Sequence, residues 1–210
     1  MNTQRVGVLA LQGGVAEHAA LLEELGAQVV LVKRPEHLEN LDALVLPGGE
    51  STTIDRLTSI FGLRQPLIQA IAGGLPTLGT CAGLILLARD IEDPAAGQQT
   101  LGLLDVTVRR NAFGSQVDSV ETELAWGDAG AGGAGRETSA GRQVPVKAAF
   151  IRAPIVTRVG ADVTVLARHA GQVVGVRQGR LLGVSFHPEL TGDTTVHRAL
   201  LDLASRAGAS

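Results

Sequence analysis

Residues 75–90 carry the sequence LPTLGTCAGLILLARD, in which a strand pattern runs directly into a helix pattern. The first part, 75–80, is a short buried-strand signal, and the run from Ala82 to Asp90 is typical of a helix. The same alternation precedes it, with strand signals at 5–11, 28–32 and 42–49 and helix signals at 15–25, 51–57 and 64–72. Strands that alternate with helices predict right-handed βαβ crossovers and a mostly parallel sheet.

The second half of the chain has a different pattern. Short strand signals follow one another closely, at 103–108, 147–154, 163–169, 172–179 and 181–188. Such spacing predicts antiparallel additions to a sheet or a small extra layer, and a last helix is predicted over 194–207. The Gly-rich segment 127–142 indicates a surface loop rather than a domain linker. We therefore expect one α/β domain over residues 1–210: a three-layer, flavodoxin-like fold with a mostly parallel central sheet, helices on both faces and added antiparallel strands.

The composition excludes several classes of protein. Hydrophobic residues make up 45% of the chain and aromatic residues 2%, so the core must be aliphatic, as suits a sheet covered on both faces. A net charge of -3 without a basic run gives no electrostatic footprint for nucleic acid. No apolar stretch reaches the roughly 18 residues that a membrane span needs, and a single cysteine fits a reducing compartment. We expect a soluble, cytoplasmic protein without a signal peptide.

The single cysteine, Cys81, lies at the turn between the predicted strand and helix and is bracketed by Gly79 and Gly83. This G-x-C-x-G pattern is the thiol counterpart of the nucleophile elbow, in which a tight turn lifts a nucleophile above the sheet edge. A helix N-terminus favours a negatively charged thiolate, and the backbone N–H of Ala82 can hold an oxyanion. The pattern therefore indicates a nucleophile, although a free cysteine is often simply a small buried side chain.

A thiol nucleophile needs a base, and His187 is the best placed of the five histidines. It follows a strand signal and precedes Pro188, which favours an extended backbone. In an extended chain residues i and i+2 face the same way, so the Glu189 carboxylate can orient the His187 imidazole. The other histidines that we considered are more typical of solvated surface side chains: His18, His37 and His169.

The segment LPGGEST, residues 46–52, supplies a Gly-rich turn after a buried strand. Two glycines let backbone N–H groups turn outward and let a ligand approach closely. The Gly49 N–H is therefore a candidate second oxyanion donor beside Ala82, and Ser51 is a candidate N-cap of the next helix. One cysteine and scattered histidines lack the spacing of metal ligands, so no metal is expected.

Together, PGGES at 47–51, GTCAGLILLA at 79–88 and SFHPEL at 185–190 resemble the class I glutamine amidotransferases, glutaminases with a Cys-His-Glu triad. A closer resemblance covers nearly the whole chain, to the glutaminase subunits of pyridoxal 5′-phosphate synthases. It rests on these segments: VGVLALQGGVAEH (6–18), VKRPEHL (32–38), RRNAFGSQVDSVE (109–121), FIRAP (150–154) and SFHPELTGD (185–193). The Gly-rich segment 127–142 departs from the family because it is longer than the usual connection.

The resemblance implies roles for the site residues and no cofactor. Cys81, His187 and Glu189 would form the triad. The L-glutamine site would comprise Gly48, Gly49, Glu50, Arg110, Ile151 and Arg152, and the oxyanion would be held by Gly49 and Ala82. An arginine at 110 or 152 can pair with the α-carboxylate of glutamine, and a glutamate at 50 with its α-ammonium group.

The partner that the resemblance implies is a pyridoxal 5′-phosphate synthase subunit, which forms a dodecameric core decorated by glutaminase subunits and takes up the ammonia. The glutaminase would be poorly active until it docks, and Gln12 in LQGG (11–14) is a candidate to sense docking. Three alternatives stay open. They are a glutaminase of the same fold serving another synthase, such as imidazole glycerol phosphate synthase, an inactive interaction subunit, and a stand-alone cysteine hydrolase.

Overall fold

A computed structural model describes residues 3–112, 120–127 and 143–207. The helices are α1 (Val15–Glu24), α2 (Ser51–Ile60), α3 (Arg64–Ala72), α4 (Ala82–Leu87), α5 (Pro188–Thr191) and α6 (Thr195–Ala207), with a 3-10 turn at Pro35–Leu38. The strands are β1 (Arg5–Leu9), β2 (Gln28–Val32), β3 (Ala43–Leu46), β4 (Thr77–Thr80), β5 (Ala88–Ile91), β6 (Leu104–Arg109), β7 (Val120–Trp126), β8 (Val144–Phe150), β9 (Ile155–Val159), β10 (Thr164–His169), β11 (Gln172–Gln178) and β12 (Leu181–Val184).

The central sheet has the strand order β2-β1-β3-β4-β12-β11-β9-β6-β5, with β10 paired to β11. Its first part, from β2 to β12, is entirely parallel, whereas β11 runs antiparallel to β12, β10 and β9. The predicted fold class, a mostly parallel sheet with added antiparallel strands, is confirmed. The strands β2 and β3 lie on opposite sides of β1, so the direction in which strands are added to the sheet reverses here, and a crevice is expected at the carboxyl ends of the strands. The carboxyl ends of the parallel strands β3, β4 and β12 lie at this edge.

Helices cover both faces of this sheet, so the domain has three layers. On one face, Leu22 of α1 and Leu200 of α6 pack on a cluster that includes Val8 and Val45. The opposite face carries α2, α3 and α4, which pack on the buried side chains that the same strands direct to that face. Because side chains alternate along a strand, neighbouring residues of β1 and β3 contribute to different clusters. The near-continuous apolar runs in these strands follow from burial on both faces.

The strands β7 and β8 form a separate antiparallel pair in which Trp126 lies opposite Val144. Trp126 packs edge-on against Phe186, with 6.4 Å between ring centroids, so this pair shares the core of the main sheet. The predicted Gly-rich loop 127–142 lies, apart from Gly127, outside the described residues, as does much of the RNAFGSQVDS segment. That residues 1–210 form a single domain stays a prediction.

Several boundaries and one pairing differ from the sequence prediction. The helix predicted to Asp90 ends at Leu87, because Leu101 N–H and Leu103 N–H bind the carbonyls of Leu86 and Leu87 and the chain continues as β5. The strands β5, β7 and β9 were not predicted as such. Most important, the segment at 181–188 is not an antiparallel addition: β12 lies parallel to β4, with Val184 opposite Thr80.

Candidate active site

Cys81 lies at a sharp turn between β4 and α4. Its backbone has φ 48° and ψ −102°, a conformation that is costly for any residue with a Cβ. The turn is held by Cys81 N–H donating to Val184 O at 2.8 Å and by Ile85 N–H donating to Cys81 O at 3.2 Å. This is the strained strand-to-helix geometry of a nucleophile elbow, as G-x-C-x-G predicts.

The two bracketing glycines are needed because backbones approach closely at the elbow. A Cβ on Gly83 would lie 1.9 Å from Leu46 O on β3, and one on Gly79 would lie 2.5 Å from Gly83 O. Backbone atoms cannot move aside as a flexible side chain can. Glycine at both positions therefore lets α4 pack directly onto β3 and β4, which sets the position of Cys81.

His187 reaches Cys81 because β12 and β4 end at the same edge of the sheet. The imidazole Nδ1 is bonded to Glu189 Oε1 at 2.7 Å, and the His187 backbone N–H donates to Ala149 O at 2.8 Å. With Nδ1 engaged by the carboxylate, Nε2 is the ring nitrogen left to interact with the Cys81 thiol, which helps to raise the pKa of His187. The structure brings the three predicted triad residues together in one row, in which His187 interacts with both Cys81 and Glu189.

The charge of this row favours a protonated imidazole. Burial by itself lowers the pKa of His187, but hydrogen bonds and charges from Cys81 and Glu189 outweigh it and raise the pKa to about 10. The His187 side chain is 12% exposed and that of Glu189 is fully buried, so the pair is weakly screened by water. An imidazolium next to Cys81 stabilises a thiolate and can later donate a proton.

The PGG turn packs tightly against the triad. A Cβ on Gly48 would lie 2.3 Å from His187 Cε1 and 3.4 Å from Cys81 Cβ. The Gly48 carbonyl accepts a hydrogen bond from Gly14 N–H at 3.2 Å. Because the N–H of a trans peptide points opposite to its C=O, the Gly49 N–H points away from Gly14.

Glu50 caps helix α2, and the prediction that Ser51 does so is wrong. The Glu50 carboxylate accepts hydrogen bonds from Thr52 N–H at 3.1 Å and Thr53 N–H at 2.7 Å, and from the hydroxyl groups of the same two threonines. Burial raises the pKa of Glu50, but the bonds from Thr52 and Thr53 outweigh it and lower the pKa to about 2. The Glu50 backbone N–H donates to Gln12 Oε1 at 2.8 Å, which fixes the turn to the LQGG segment.

A cavity of about 300 Å³ opens above Cys81, at the small end of the range for ligand sites. Seven predicted site residues line it: Gly49, Glu50, Cys81, Arg110, Ile151, Arg152 and His187. Gly48, Ala82 and Glu189 lie behind this lining, around Cys81 and His187. Four further residues that the sequence did not predict to be part of this site also line it: Gln12, Ser51, Ile85 and Asn111.

The cationic side of the cavity is built from strained turns. Arg152 has φ 44° and Asn111 has φ 49°, both left-handed conformations that are rare outside glycine. Arg110 is anchored, because its guanidinium donates to Gln98 Oε1 at 2.9 Å and its backbone N–H to Asp93 Oδ1 at 3.1 Å. Such strain in a ligand-sized cavity is a hallmark of functional positions, and no local sequence signal reveals it.

The expectation that His18 is a solvated surface residue is wrong. His18 and His197, on α1 and α6, are both fully buried, and their rings are bonded at 2.8 Å from Nδ1 to Nε2. His18 Nε2 lies 3.1 Å from Thr80 Oγ1 and 3.4 Å from Glu189 Oε2. Of the three histidines predicted to be solvated, His37 and His169 are partly exposed. An isolated histidine on a helix gives no sequence signal of such burial.

Other features of the described residues do not add to the site. A cavity of about 550 Å³ lies beside α2 and contains an Asp55–Arg64 ion pair, but neither cysteine nor histidine lines it. No group of histidine, cysteine and acidic residues in the described ranges is arranged to hold a metal ion. Within the same ranges, no helix has the length and apolar character that crossing a membrane requires.

Fold and site together define an α/β protein of the doubly wound class, with a cysteine elbow facing a histidine and a buried glutamate. Residues 8–203 match the model of the SNO glutamine amidotransferase family. The chain belongs to the SNO glutamine amidotransferase family, as the sequence resemblance indicated.

Individual relatives and solved structures agree with this assignment. The chain is 55% identical over 203 residues to pyridoxal 5′-phosphate synthase subunit PdxT of Kineococcus radiotolerans, covering 94% of this chain and 93% of the relative. It is 51% identical over 201 residues to PdxT of Acidothermus cellulolyticus, covering 93% of this chain and 91% of the relative. A crystal structure of a glutamine amidotransferase matches at a TM-score of 0.83 and 44% identity, covering 95% of this chain and 98% of that chain. The structure of PurLQS from Thermotoga maritima shares the fold, with a TM-score of 0.62 and 19% identity. The match covers 90% of this chain and 89% of that chain.

Proposed function

We propose that this protein hydrolyses L-glutamine to L-glutamate and ammonia and passes the ammonia to a synthase subunit that makes pyridoxal 5′-phosphate. The observation that carries the proposal is the row Cys81–His187–Glu189 at the base of a cavity with arginines on one side. Membership of a glutamine amidotransferase family and the PdxT relatives support the same reaction.

In the first half of the reaction, the Cys81 thiolate attacks the side-chain amide carbon of glutamine. Its proton resides on His187, which Glu189 orients through Nδ1. The carbonyl oxygen becomes an oxyanion, for which the backbone N–H groups of Gly49 and Ala82 are the proposed donors. His187 then protonates the leaving nitrogen, the C–N bond breaks, and ammonia departs from a thioester.

In the second half, water hydrolyses the thioester. His187, now neutral, removes a proton from the water as its oxygen attacks the carbonyl carbon. The second oxyanion is held by the same donors and collapses as the C–S bond breaks. L-Glutamate leaves, and the thiolate–imidazolium pair is restored.

Free glutamine is selected by its charged backbone groups. Arg110 or Arg152 is proposed to pair with the α-carboxylate, since both line the cavity and Arg110 is already anchored. Glu50, whose carboxylate is held ionised by the capping bonds, is proposed to attract the α-ammonium group. Ile151 lies on the same turn as Arg152 and contributes backbone groups, so its side chain carries no specificity.

The proposed partner is a pyridoxal 5′-phosphate synthase subunit in a dodecameric core decorated by copies of this chain. The PdxT relatives support the partner, and the number of subunits rests on the resemblance alone. Gln12 is proposed to sense docking, since its side chain holds Glu50 N–H next to the Gly49 turn. Unchanged glutamine turnover by a Gln12→Ala complex would contradict that role.

The second candidate is a glutaminase of the same fold that serves another synthase. The fold that this chain shares with PurLQS keeps it in consideration. The two are separated by measuring glutaminase stimulation with each purified synthase subunit. Stimulation by the imidazole glycerol phosphate enzyme, and not by the pyridoxal 5′-phosphate synthase, would favour this second candidate.

The direct test measures glutamate release from L-glutamine by the isolated chain and by its mixture with a pyridoxal 5′-phosphate synthase subunit. We expect a large stimulation that Cys81→Ala abolishes. Glu189→Gln should lower kcat by about 10²- to 10⁴-fold with little change in KM, because a neutral amide does not stabilise the imidazolium and its NH2 group can donate to His187 Nδ1, which favours the wrong tautomer.

The matched control for the carboxylate is Glu36→Gln, which makes the same change at an exposed position on the 3-10 turn. It should retain wild-type turnover. Full activity of Cys81→Ala would refute the proposed nucleophile. Activity that is high alone and insensitive to any synthase would instead favour a stand-alone hydrolase.

A further inference from the structure

We propose that His18 is a positioning residue for Glu189, and that a buried row of two neutral histidines, His197 and His18, extends the triad into the core. The proposal rests on the proposed function, since it assigns Glu189 a role in catalysis. Its geometric basis is the contact of His18 Nε2 with Glu189 Oε2 at 3.4 Å, while His187 Nδ1 binds the other carboxylate oxygen, Oε1.

Glu189 needs such a neighbour because its carboxylate has no exposed surface. Oε1 is occupied by His187 Nδ1 at 2.7 Å, whereas Oε2 has no hydrogen-bond partner among the described residues. A buried carboxylate oxygen without a donor is costly. His18 Nε2 is the ring nitrogen that faces this oxygen, and it also bonds Thr80 Oγ1 at 3.1 Å.

Both histidines of the row are neutral near pH 7. Burial lowers the pKa of His18 well below its ordinary value, and the nearby His197 and His187 lower it further. Burial also lowers the pKa of His197 to about 4, although Asp193 acts in the opposite direction. Each neutral ring carries one N–H, so the direction of each hydrogen bond in the row follows from the tautomers.

The contacts are consistent with one arrangement of protons. If His18 carries its proton on Nε2, this donor lies 3.1 Å from Thr80 Oγ1 and 3.4 Å from Glu189 Oε2, and Nδ1 accepts from His197 Nε2–H at 2.8 Å. His197 Nδ1, which has no partner among the described residues, is then an unprotonated acceptor.

The reverse arrangement is unfavourable at both ends. It would aim a lone pair of His18 Nε2 at the carboxylate and leave a buried N–H on His197 Nδ1 without an acceptor. Orphaned buried N–H groups are rarer than orphaned acceptors. The row therefore donates from His197 through His18 towards Glu189, and His197 acts by fixing the tautomer of His18.

The consequence for catalysis is orientation. With a donor facing Oε2, the carboxylate plane is fixed from both sides, and Oε1 stays directed at His187 Nδ1 while the imidazole gains and loses its proton. His18 does not line the cavity above Cys81, so its loss should not alter glutamine binding. The expected signature is a lower kcat at unchanged KM.

The experiment compares His18→Leu, which removes the donor, with His18→Gln, which keeps an N–H at the position of Nε2. In the complex with the synthase subunit, we expect His18→Leu to lower kcat about 10- to 100-fold, the loss typical of removing a partner that orients a ligand group. His18→Gln should stay within about threefold of wild type. His37→Leu, at a partly exposed histidine, is the matched control and should be unaffected.

A measurement on wild type keeps the test valid if His18→Leu folds poorly, and a second measurement on the variants is independent of glutamine. Nitrogen-15 NMR of the wild-type imidazoles should find His18 and His197 as neutral Nε2–H tautomers at pH 7. The rate of Cys81 alkylation by iodoacetamide, which needs no glutamine, should fall in His18→Leu and return in His18→Gln.

Either a protonated His18 or its Nδ1–H tautomer would overturn the proposal. Equal impairment of the Leu and Gln variants would also do so, because a purely packing role predicts no recovery by the donor. If wild type showed the predicted tautomers and alkylation pattern without glutamine hydrolysis, the row would stand and the proposed function would fail.

Discussion

At the scale of single residues, Gly48 is constrained by the triad itself. Its φ is not in the left-handed region, so the backbone conformation does not require glycine. The requirement comes from His187, whose Cε1 would lie 2.3 Å from a Cβ at this position. The imidazole ring therefore rests against bare backbone, and the ring position depends on the absence of one methyl group.

We predict that Gly48→Ala abolishes most glutaminase activity, because the added methyl group must displace His187 from Cys81. Gly62→Ala provides the contrast: φ is +65° there and no atom lies within 4 Å of the new Cβ. That variant should lose about 1 kcal/mol of stability from backbone strain and keep its kcat. Thermal unfolding and glutamate release measured on both variants test this, and an active Gly48→Ala enzyme would contradict it.

The raised pKa of His187 also predicts a pH dependence of stability. The folded-state pKa, about 10, lies above the unfolded value near 6.5, so the native state binds the proton more tightly. The stabilisation is fully present below pH 6.5 and is lost as pH rises towards 10. It is on the order of a few kcal/mol, since one pKa unit corresponds to about 1.4 kcal/mol.

The measurement is the free energy of unfolding in urea between pH 6 and pH 10, for wild type and His187→Gln. Wild type should lose stability more steeply over this range than the variant, whose residue 187 does not titrate. Parallel curves for the two proteins would mean that His187 has an ordinary pKa in the folded state.

At the scale of elements, α2 shows how one residue serves both the fold and the site. Glu50 satisfies the first N–H groups of this helix, while its backbone N–H is bound by Gln12 and its carboxylate borders the cavity. A helix N-terminus without a side-chain acceptor leaves backbone donors unsatisfied. The cap therefore fixes the turn that carries the proposed oxyanion donor Gly49.

We predict that Glu50→Ala lowers the free energy of unfolding by about 1 kcal/mol at pH 7, the usual loss for a removed N-cap. Because the folded pKa of Glu50 is depressed from 4.5 to about 2, this stabilisation is present above pH 4.5 and is lost as pH falls through 2. Denaturant unfolding at pH 7 and pH 3 measures the change. Glu23→Ala, at an exposed position on α1, should be near neutral, and an equal loss there would contradict a capping effect.

At the scale of the whole molecule, the β7–β8 pair and the main sheet share one core. Trp126, the single tryptophan of the chain, packs against Phe186, one residue before His187. The fluorescence of Trp126 therefore reports the unfolding of the β7–β8 strand pair, whereas far-ultraviolet circular dichroism reports mostly the unfolding of the helices and the main sheet. The two probes can show whether the chain unfolds as one unit.

We predict a single cooperative transition in which tryptophan fluorescence and circular dichroism give the same midpoint in urea, as expected for one domain. A shared apolar core makes separate melting of the pair unfavourable, because it would expose Trp126 and Phe186 together. Trp126→Phe, followed by circular dichroism alone, controls for the probe itself. Fluorescence that changes well before the dichroism would contradict the single-domain prediction.

Much of the fold followed from local sequence. The strand at 28–32 and the helix at 64–72 have the predicted bounds, because hydrophobic period and turn residues are properties of neighbouring positions. The elbow at Cys81 was equally local, since glycine spacing sets how closely the backbones pass. The glycines and the His-Pro-Glu segment also carried the resemblance that identified the family.

Other features depended on contacts between distant segments. Whether β12 would pair parallel to β4 could not be read locally, because Thr80 and Val184 are far apart in sequence and only the closed core selects their pairing. The capping by Glu50 instead of Ser51, the strain at Arg152 and the burial of His18 were decided in the same way. The sequence by itself determined most of the elements, the nucleophile turn and the family. Only the tertiary structure decided how the imidazole, carboxylate and buried histidines meet, since that depends on packing across the whole sheet.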